Sequence, residues 1–144
     1  VNKRLQPYRL SYQDILTGRF ADSETEEVPL YELREVPFIT IKPGNDMYQR
    51  SSQICRNAGF TMNTVLLVDQ VLTSVNIASN GVGAVFIRSD IVSCMPENEM
   101  LTYYKIGDPL ATRPVSFAIK KGKYTTSAMR EFMKMAGVEK KEEE

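Results

Sequence analysis

The residues best suited to binding a small molecule form a short polar turn after an apolar stretch of the chain. This turn consists of Lys42, Pro43, Gly44, Asn45 and Asp46. A glycine lets a ligand approach the backbone closely, and the free amides at the start of a following helix can hold a carboxylate. An ordinary turn in which Asn45 or Asp46 caps the helix has the same composition. We therefore predict a ligand-binding turn here, with a plain helix cap as the alternative.

A second polar group, Val68, Asp69 and Gln70, follows the next apolar stretch. Its carboxamide and the amides of a following helix would point toward a ligand. Asp69 could also simply cap that helix. In an open α/β sheet, ligands bind beyond the carboxyl ends of the strands, and this group is the second such place in the sequence.

A third group, Phe86, Ile87 and Arg88, ends another apolar stretch. Arg88 could hold a carboxylate or a phosphate through two parallel hydrogen bonds. An arginine at such a position is more often part of a surface ion pair. Both interpretations of Arg88 remain open from the sequence.

The composition argues against an enzyme, a metal site and a nucleic-acid groove. The 144 residues contain no histidine, which is the commonest general base and the commonest zinc ligand. Cys55 has no histidine partner to activate it, and we expect both Cys55 and Cys94 to be free thiols. Lysine plus arginine equals aspartate plus glutamate, at 18 each, so the net charge indicates no nucleic-acid groove. We predict no catalytic residue, no cofactor and no membrane span.

Alternating strands and helices must position the candidate residues. Apolar stretches rich in β-branched residues predict strands at Phe38–Ile41, Thr64–Val68 and Gly83–Ile87. Helical spacing and capping residues predict helices at Asp46–Ala58 and Gln70–Ser79. Strands that alternate with helices form right-handed βαβ units, so we predict an α/β fold with a mostly parallel sheet flanked by helices.

The rest of the chain is predicted to contain shorter elements. Apolar patterns predict strands at Leu101–Ile106 and Val115–Lys120, and a brief helix begins at Ser89 or Asp90 and reaches Cys94. The last helix is predicted at Thr126–Ala136, with its apolar residues on one stripe.

Three segments of different composition predict the domain organisation. Residues 1–27 form an N-terminal arm that contains a short helix at about Ser11–Thr17. Residues 28–137 form one binding lobe with a C-terminal strand and helix. Residues 138–144 are almost all charged and are predicted to be a disordered tail.

Four segments of the chain stand in a distinctive order and spacing. They are VPLYELREVPFITIKPGN, CRNAGF, LLVDQVLTSVNIASNGVGAVFIRSDIV and RPVSFAIKKGKYTTSAMREFMKMAG. Together they resemble the effector-binding domain of LysR-type transcriptional regulators, mainly its second lobe. The resemblance covers about Val28–Gly137, and Leu10–Glu27 looks like an insertion. It implies a lobe of the type II periplasmic-binding-protein fold with an antiparallel return strand.

The resemblance also implies a function that is not enzymatic. In this family a small-molecule effector, which could be anionic, binds between two lobes and modulates DNA binding by the intact protein. We expect a homo-oligomer in the cytoplasm that contacts DNA only through a domain absent from this segment. The alternative is a lobe of an extracytoplasmic solute-binding protein, which shares the fold. A helix-turn-helix upstream of Val1 would favour the regulator, and a secretory signal would favour the alternative.

Overall fold

The computed structural model describes residues 3–113, 116–120 and 122–137. The chain divides into two compact units, the residues up to Thr112 and those from Arg113 onward, and each unit is described separately. The first unit contains helix α1 (Tyr12–Leu16), strand β1 (Phe38–Ile41), helix α2 (Asp46–Asn57), strand β2 (Thr64–Val68), helix α3 (Val71–Ala78) and helix α4 (Ser89–Val92). Short 3-10 helices occupy Lys3–Tyr8, Arg19–Ala21, Leu30–Leu33 and Pro109–Ala111. The second unit contains helix α5 (Ser127–Met135).

Strands β1 and β2 form a parallel pair, and both have the bounds predicted from their apolar sequences. In this pair Ile39 stands opposite Leu66, and Ile41 stands opposite Val68. All four residues of β1 are buried, whereas the middle of β2 is exposed at the edge of the sheet. The pairing places the carboxyl ends of both strands at the same edge, as predicted.

Helix α2 confirms the helix expected at Asp46–Ala58, with Ala58 as its C-cap. The Asn45 side chain accepts a hydrogen bond from the Met47 amide at 2.9 Å, which satisfies a free donor at the helix start. Its buried residues, Ile54 and Cys55 among them, face the core. There Cys55 packs with Phe38 and Met62, and the partly buried neighbours of this cluster include Tyr48, Phe60 and Phe86.

Helix α3 confirms the helix expected at Gln70–Ser79, with those two residues as its caps. The interpretation of Asp69 as a side-chain cap is wrong, because Gln70 is the N-cap residue and its side chain forms no capping hydrogen bond. Asp69 forms an ion pair instead.

The third predicted strand, Gly83–Ile87, is wrong in this structure. A single parallel bridge joins Ala84 to Phe38. In it the Ala84 amide donates to the Pro37 carbonyl at 2.8 Å, and the Ile39 amide donates to the Ala84 carbonyl at 2.9 Å. Beyond this bridge the ring of Phe86 stacks on Phe38, with centroids 5.6 Å apart. The apolar stretch is therefore partly buried against β1 and forms no full ladder with it.

Replacing Gly83 with alanine should weaken this contact. A Cβ atom at position 83 would overlap with the Pro37 carbonyl oxygen and would lie 3.0 Å from its carbonyl carbon. Because the backbone must shift, we expect the free energy of unfolding to fall by about 1 to 2 kcal/mol in urea denaturation. Gly107→Ala is the control, because the atoms nearest to its Cβ are the far end of the exposed Glu27 side chain, which can turn away at little cost. Equal stability of the Gly83 variant and the wild type would contradict this expectation.

The predicted strand at Leu101–Ile106 is also wrong, because its backbone bonds separately with Leu10 in the N-terminal arm and with Val28 just after the arm. Leu10 and Tyr103 exchange two hydrogen bonds of 2.9 and 3.2 Å in an isolated antiparallel bridge. The Val28 amide then donates to the Lys105 carbonyl at 2.9 Å. The Lys105 ammonium donates to the carbonyls of Asp22 and Thr25. Partners that lie so far apart in sequence give single bridges and no continuous strand.

The second unit shows its predicted helix but no return strand in its described part. Val115 lies outside the described residues, and residues 116–120 form no strand, so the antiparallel return strand is not observed there. Helix α5 confirms the prediction at Thr126–Ala136, and the Thr126 hydroxyl caps it by accepting from the Met129 amide at 3.2 Å. The ring of Phe117 packs edge-on against Phe132 at 5.5 Å.

The remaining predicted elements are short. Helix α1 confirms the piece expected at Ser11–Thr17, and a capping box between Ser11 and Asp14 begins it. Because Ser11 donates to the carboxylate, the pKa of Asp14 lies below its ordinary value. Helix α4 confirms a brief helix after Arg88, but it ends at Val92 and no side chain caps it. The tail predicted at 138–144 lies outside the described residues.

Candidate functional site

Two of the three predicted groups meet at the shared carboxyl edge of β1 and β2. The Lys42 amide donates to the Val68 carbonyl at 3.1 Å, which extends the ladder beyond β1. The Lys42 ammonium pairs with the Asp69 carboxylate, at 2.8 Å from Oδ1 and 3.1 Å from Oδ2. Parallel pairing causes this meeting, since it places the carboxyl ends of consecutive strands side by side.

The turn at Lys42 to Asp46 is exposed along its whole length. Gly44 has φ +97°, a left-handed conformation that side chains rarely adopt, and open space surrounds the position of a Cβ there. Asp46, in the first turn of α2, accepts from Arg50 at 3.0 and 3.2 Å. The turn is therefore both a helix cap and an accessible surface with polar atoms.

The charges at this edge are paired and open to solvent. The Lys42 and Asp69 side chains are 60% and 75% exposed, so water screens their attraction. Close to α3, Arg88 forms a two-point ion pair with Asp90, with its Nε 2.9 Å from Oδ1. This hydrogen bonding lowers the pKa of Asp90 and raises that of Arg88. Among the candidate residues that the structure describes, each cation has a carboxylate partner.

The third predicted group does not converge with the other two. Phe86 packs against the core cluster, where its ring stacks on Phe38. Ile87 is half-buried, and Arg88 is exposed with Asp90 as its partner. Within the described chain, no hydrogen bond or ion pair links these three residues to Lys42 or Asp69. The ion-pair interpretation of Arg88 fits this arrangement.

Sequence reasoning missed a groove between the start of α3 and α4. Its volume is about 400 Å³, and it is lined by Gln70, Val71, Leu72, Asp90, Ile91 and Cys94. Only Gln70 belonged to a predicted group. Nothing in the local patterns relates the two walls, which lie about twenty residues apart in sequence. Their proximity arises from the folding of α3 against β1 and of α4 after the Ala84 bridge.

The two cysteines differ strongly in their surroundings. Both are free in this structure, Cys55 being fully buried and Cys94 exposed at the groove. Burial raises the pKa of the Cys55 thiol to about 11. Within residues 3–113, 116–120 and 122–137, no cluster of histidine, cysteine or carboxylate residues could hold a metal ion. None of the helices in these residues is long and apolar enough to cross a membrane.

Comparison with known proteins identifies the family to which the chain belongs. The family model described as LysR substrate binding domain matches residues 19–138, which is most of the chain. The chain therefore belongs to the LysR substrate-binding domain family, whose members act in transcription regulation, generally without enzymatic activity. The match includes residues 19–27, which lie inside the segment that resembles an insertion. Comparisons with curated proteins and with solved structures each give no significant match.

The family membership defines the fold class at a coarse level. A LysR substrate-binding domain has a periplasmic-binding-protein-like α/β fold. The observed order β1, α2, β2, α3 and the parallel pairing of β1 with β2 are compatible with it.

Proposed function

We propose that this chain senses a small-molecule effector at the carboxyl edge of β1 and β2 for an intact LysR-type regulator. The observation that carries the proposal is the meeting of the Lys42 to Asp46 turn with Val68, Asp69 and Gln70 at one exposed sheet edge. Such an edge is where open α/β sheets bind ligands. The family membership supports a sensing role over that of a transporter-linked solute-binding lobe.

The proposed mechanism follows from linkage between ligand binding and conformation. An effector that contacts this edge better in one conformation than in another shifts the balance between the two. The intact oligomer would transmit that shift to a DNA-binding domain outside this segment. Catalysis has no part in this mechanism, and the proposed role carries with it an expectation of cytoplasmic location.

Binding at this edge can be mapped directly by nuclear magnetic resonance on the full chain. Benzoate and benzamide are suitable first probes, because they have the same ring and differ in charge. We expect concentration-dependent shifts of the backbone amides in the Lys42 to Asp46 turn and at Asp69 and Gln70. A probe panel whose shifts all fall elsewhere on the chain would contradict the proposed site.

Replacing Lys42 should change the affinity for a probe while leaving the stability of the chain nearly unchanged. In Lys42→Met, we expect the free energy of unfolding to change by less than about 1 kcal/mol, because the pair with Asp69 is exposed. We expect the affinity for any probe that shifts this edge to fall by about tenfold, because the ammonium has three donors and can give the probe one hydrogen bond beside its pair with Asp69. Lys123→Met, in the second unit, is the control. Unchanged probe affinity in Lys42→Met would remove Lys42 from the site.

The turn is better tested by a substitution at Asn45 than by one at Gly44. Gly44→Val is unsuitable, because the positive φ of Gly44 would strain any side chain and would confuse folding with binding. Asn45→Ala acts on the cap of α2 instead and is expected to cost about 1 kcal/mol of stability.

A further inference from the structure

The groove between α3 and α4 is open to solvent and has room for a small molecule. Its volume of about 400 Å³ lies within the range of roughly 300 to 1,000 Å³ that is typical of ligand pockets. Leu72 is 51% exposed on one wall, and Ile91 lies on the other. Single exposed leucines are ordinary on protein surfaces, but here apolar atoms on two helices face one concavity. An apolar ligand would remove both walls from water at once.

The charges around the groove decide which ligands fit it. Asp90 is the ionisable carboxylate of its lining, and it is held in the charged form by Arg88. Lys42, near the Gln70 end, is already paired with Asp69. A charged ligand would therefore give up its hydration against a mostly apolar lining without gaining an unpaired partner among these four groups. An uncharged ligand avoids this cost, and the Gln70 carboxamide can both donate to it and accept from it.

We propose that this groove holds the uncharged, apolar part of the effector, an aromatic or aliphatic body with a neutral polar group next to Gln70. This inference rests on the proposed function, because Gln70 belongs to both the sheet edge and the groove. It assigns Leu72 and Ile91 to recognition of the apolar body. It also replaces the expectation of an anionic effector with that of a neutral one.

Cys94 provides a reporter for occupancy of the groove. It lies exposed in the lining, whereas Cys55 is 0% exposed and its pKa is raised to about 11. Iodoacetamide at pH 7.5 should therefore modify Cys94 in the full chain and leave Cys55 unmodified. Mass spectrometry would follow the rate of Cys94 modification with indole, benzamide or benzoate present. A probe that occupies the groove in about nine molecules of ten should slow the reaction about tenfold.

We expect indole and benzamide to slow the modification of Cys94 and benzoate to have little effect. In Leu72→Gln the protection should be lost. Leu67→Gln, an exposed leucine on β2 outside the groove lining, should keep it. Leu72→Ala is a second, milder change, which shortens the same side chain and keeps it apolar. Circular dichroism of each variant checks that it is folded.

The outcomes that overturn the inference are distinct from those that overturn the proposed function. Absence of protection by both neutral probes, stronger protection by benzoate, or equal protection in both Leu72 variants and the wild type would overturn the assignment of the groove. The proposed sheet-edge site is tested separately by the amide shifts at Lys42 to Asp46. Protection of Cys94 without those shifts would support the groove and contradict the sheet edge.

Discussion

Replacing Phe38 with alanine should lower the free energy of unfolding by about 3 to 5 kcal/mol, the largest effect expected of any substitution proposed for this chain. The Phe38 side chain is 2% exposed and lies in the core with Cys55 and Met62. Its ring stacks on Phe86 at 5.6 Å and lies 6.5 Å from the ring of Phe60. Alanine would lose the transfer free energy of the ring and would leave a cavity that β1 and α2 cannot close.

Urea denaturation of the full chain, followed by circular dichroism, measures this loss. Leu66→Ala is the matched control, because Leu66 lies on β2 and is 39% exposed. We expect the control to lose much less than the Phe38 variant, since its side chain stays partly in water in the folded chain. Equal losses in the two variants would mean that the core is not centred on Phe38.

The stability of the chain should fall at high pH because of the buried Cys55 thiol. Its pKa is about 11 in the folded chain, against an ordinary value of 9.0. Below about pH 9 the thiol is neutral in both the folded and unfolded states, so its contribution to stability is intact. Between about pH 9 and 11 the unfolded chain ionises first, which favours unfolding. The expected loss is roughly 2 to 3 kcal/mol by pH 11.

Comparison of two cysteine variants isolates this contribution from the titration of tyrosines and lysines. Urea denaturation at pH 7.5, 9 and 10.5 should show a shallower loss of stability in Cys55→Ala than in the wild type. Cys94→Ala should follow the wild-type pH dependence, because Cys94 is exposed. If Cys55→Ala and the wild type lose stability in parallel, the thiol is not the source of the pH effect.

Local sequence determined the elements that depend on neighbouring residues. The bounds of β1 and β2 match their apolar, β-branched stretches, and helices α2, α3 and α5 occupy their predicted ranges. Asn45 and Thr126 cap their helices as their residue types suggest, because a cap bonds only two or three residues ahead. The two halves of the sheet-edge site were also predictable, since each lies directly after a strand.

Only the tertiary structure decided which distant segments pair with one another. Gly83–Ile87 and Leu101–Ile106 have strand-like sequences, but strand formation requires a continuous neighbour. Gly83–Ile87 gains one bridge to β1, and Leu101–Ile106 bonds with Leu10 and Val28 separately. An apolar pattern does not report which backbone supplies the hydrogen bonds of a segment.

The same distinction applies to the candidate site. The sequence determined that Lys42 and Asp69 follow neighbouring strands, but their ion pair depends on the pairing register across 27 residues. The groove depends entirely on tertiary structure, because Leu72 and Ile91 belong to different helices. Local patterns therefore predicted the polar edge, whose residues follow paired strands. The apolar groove beside it required the fold, because its two walls come from α3, which packs against β1, and from α4, which packs against α1.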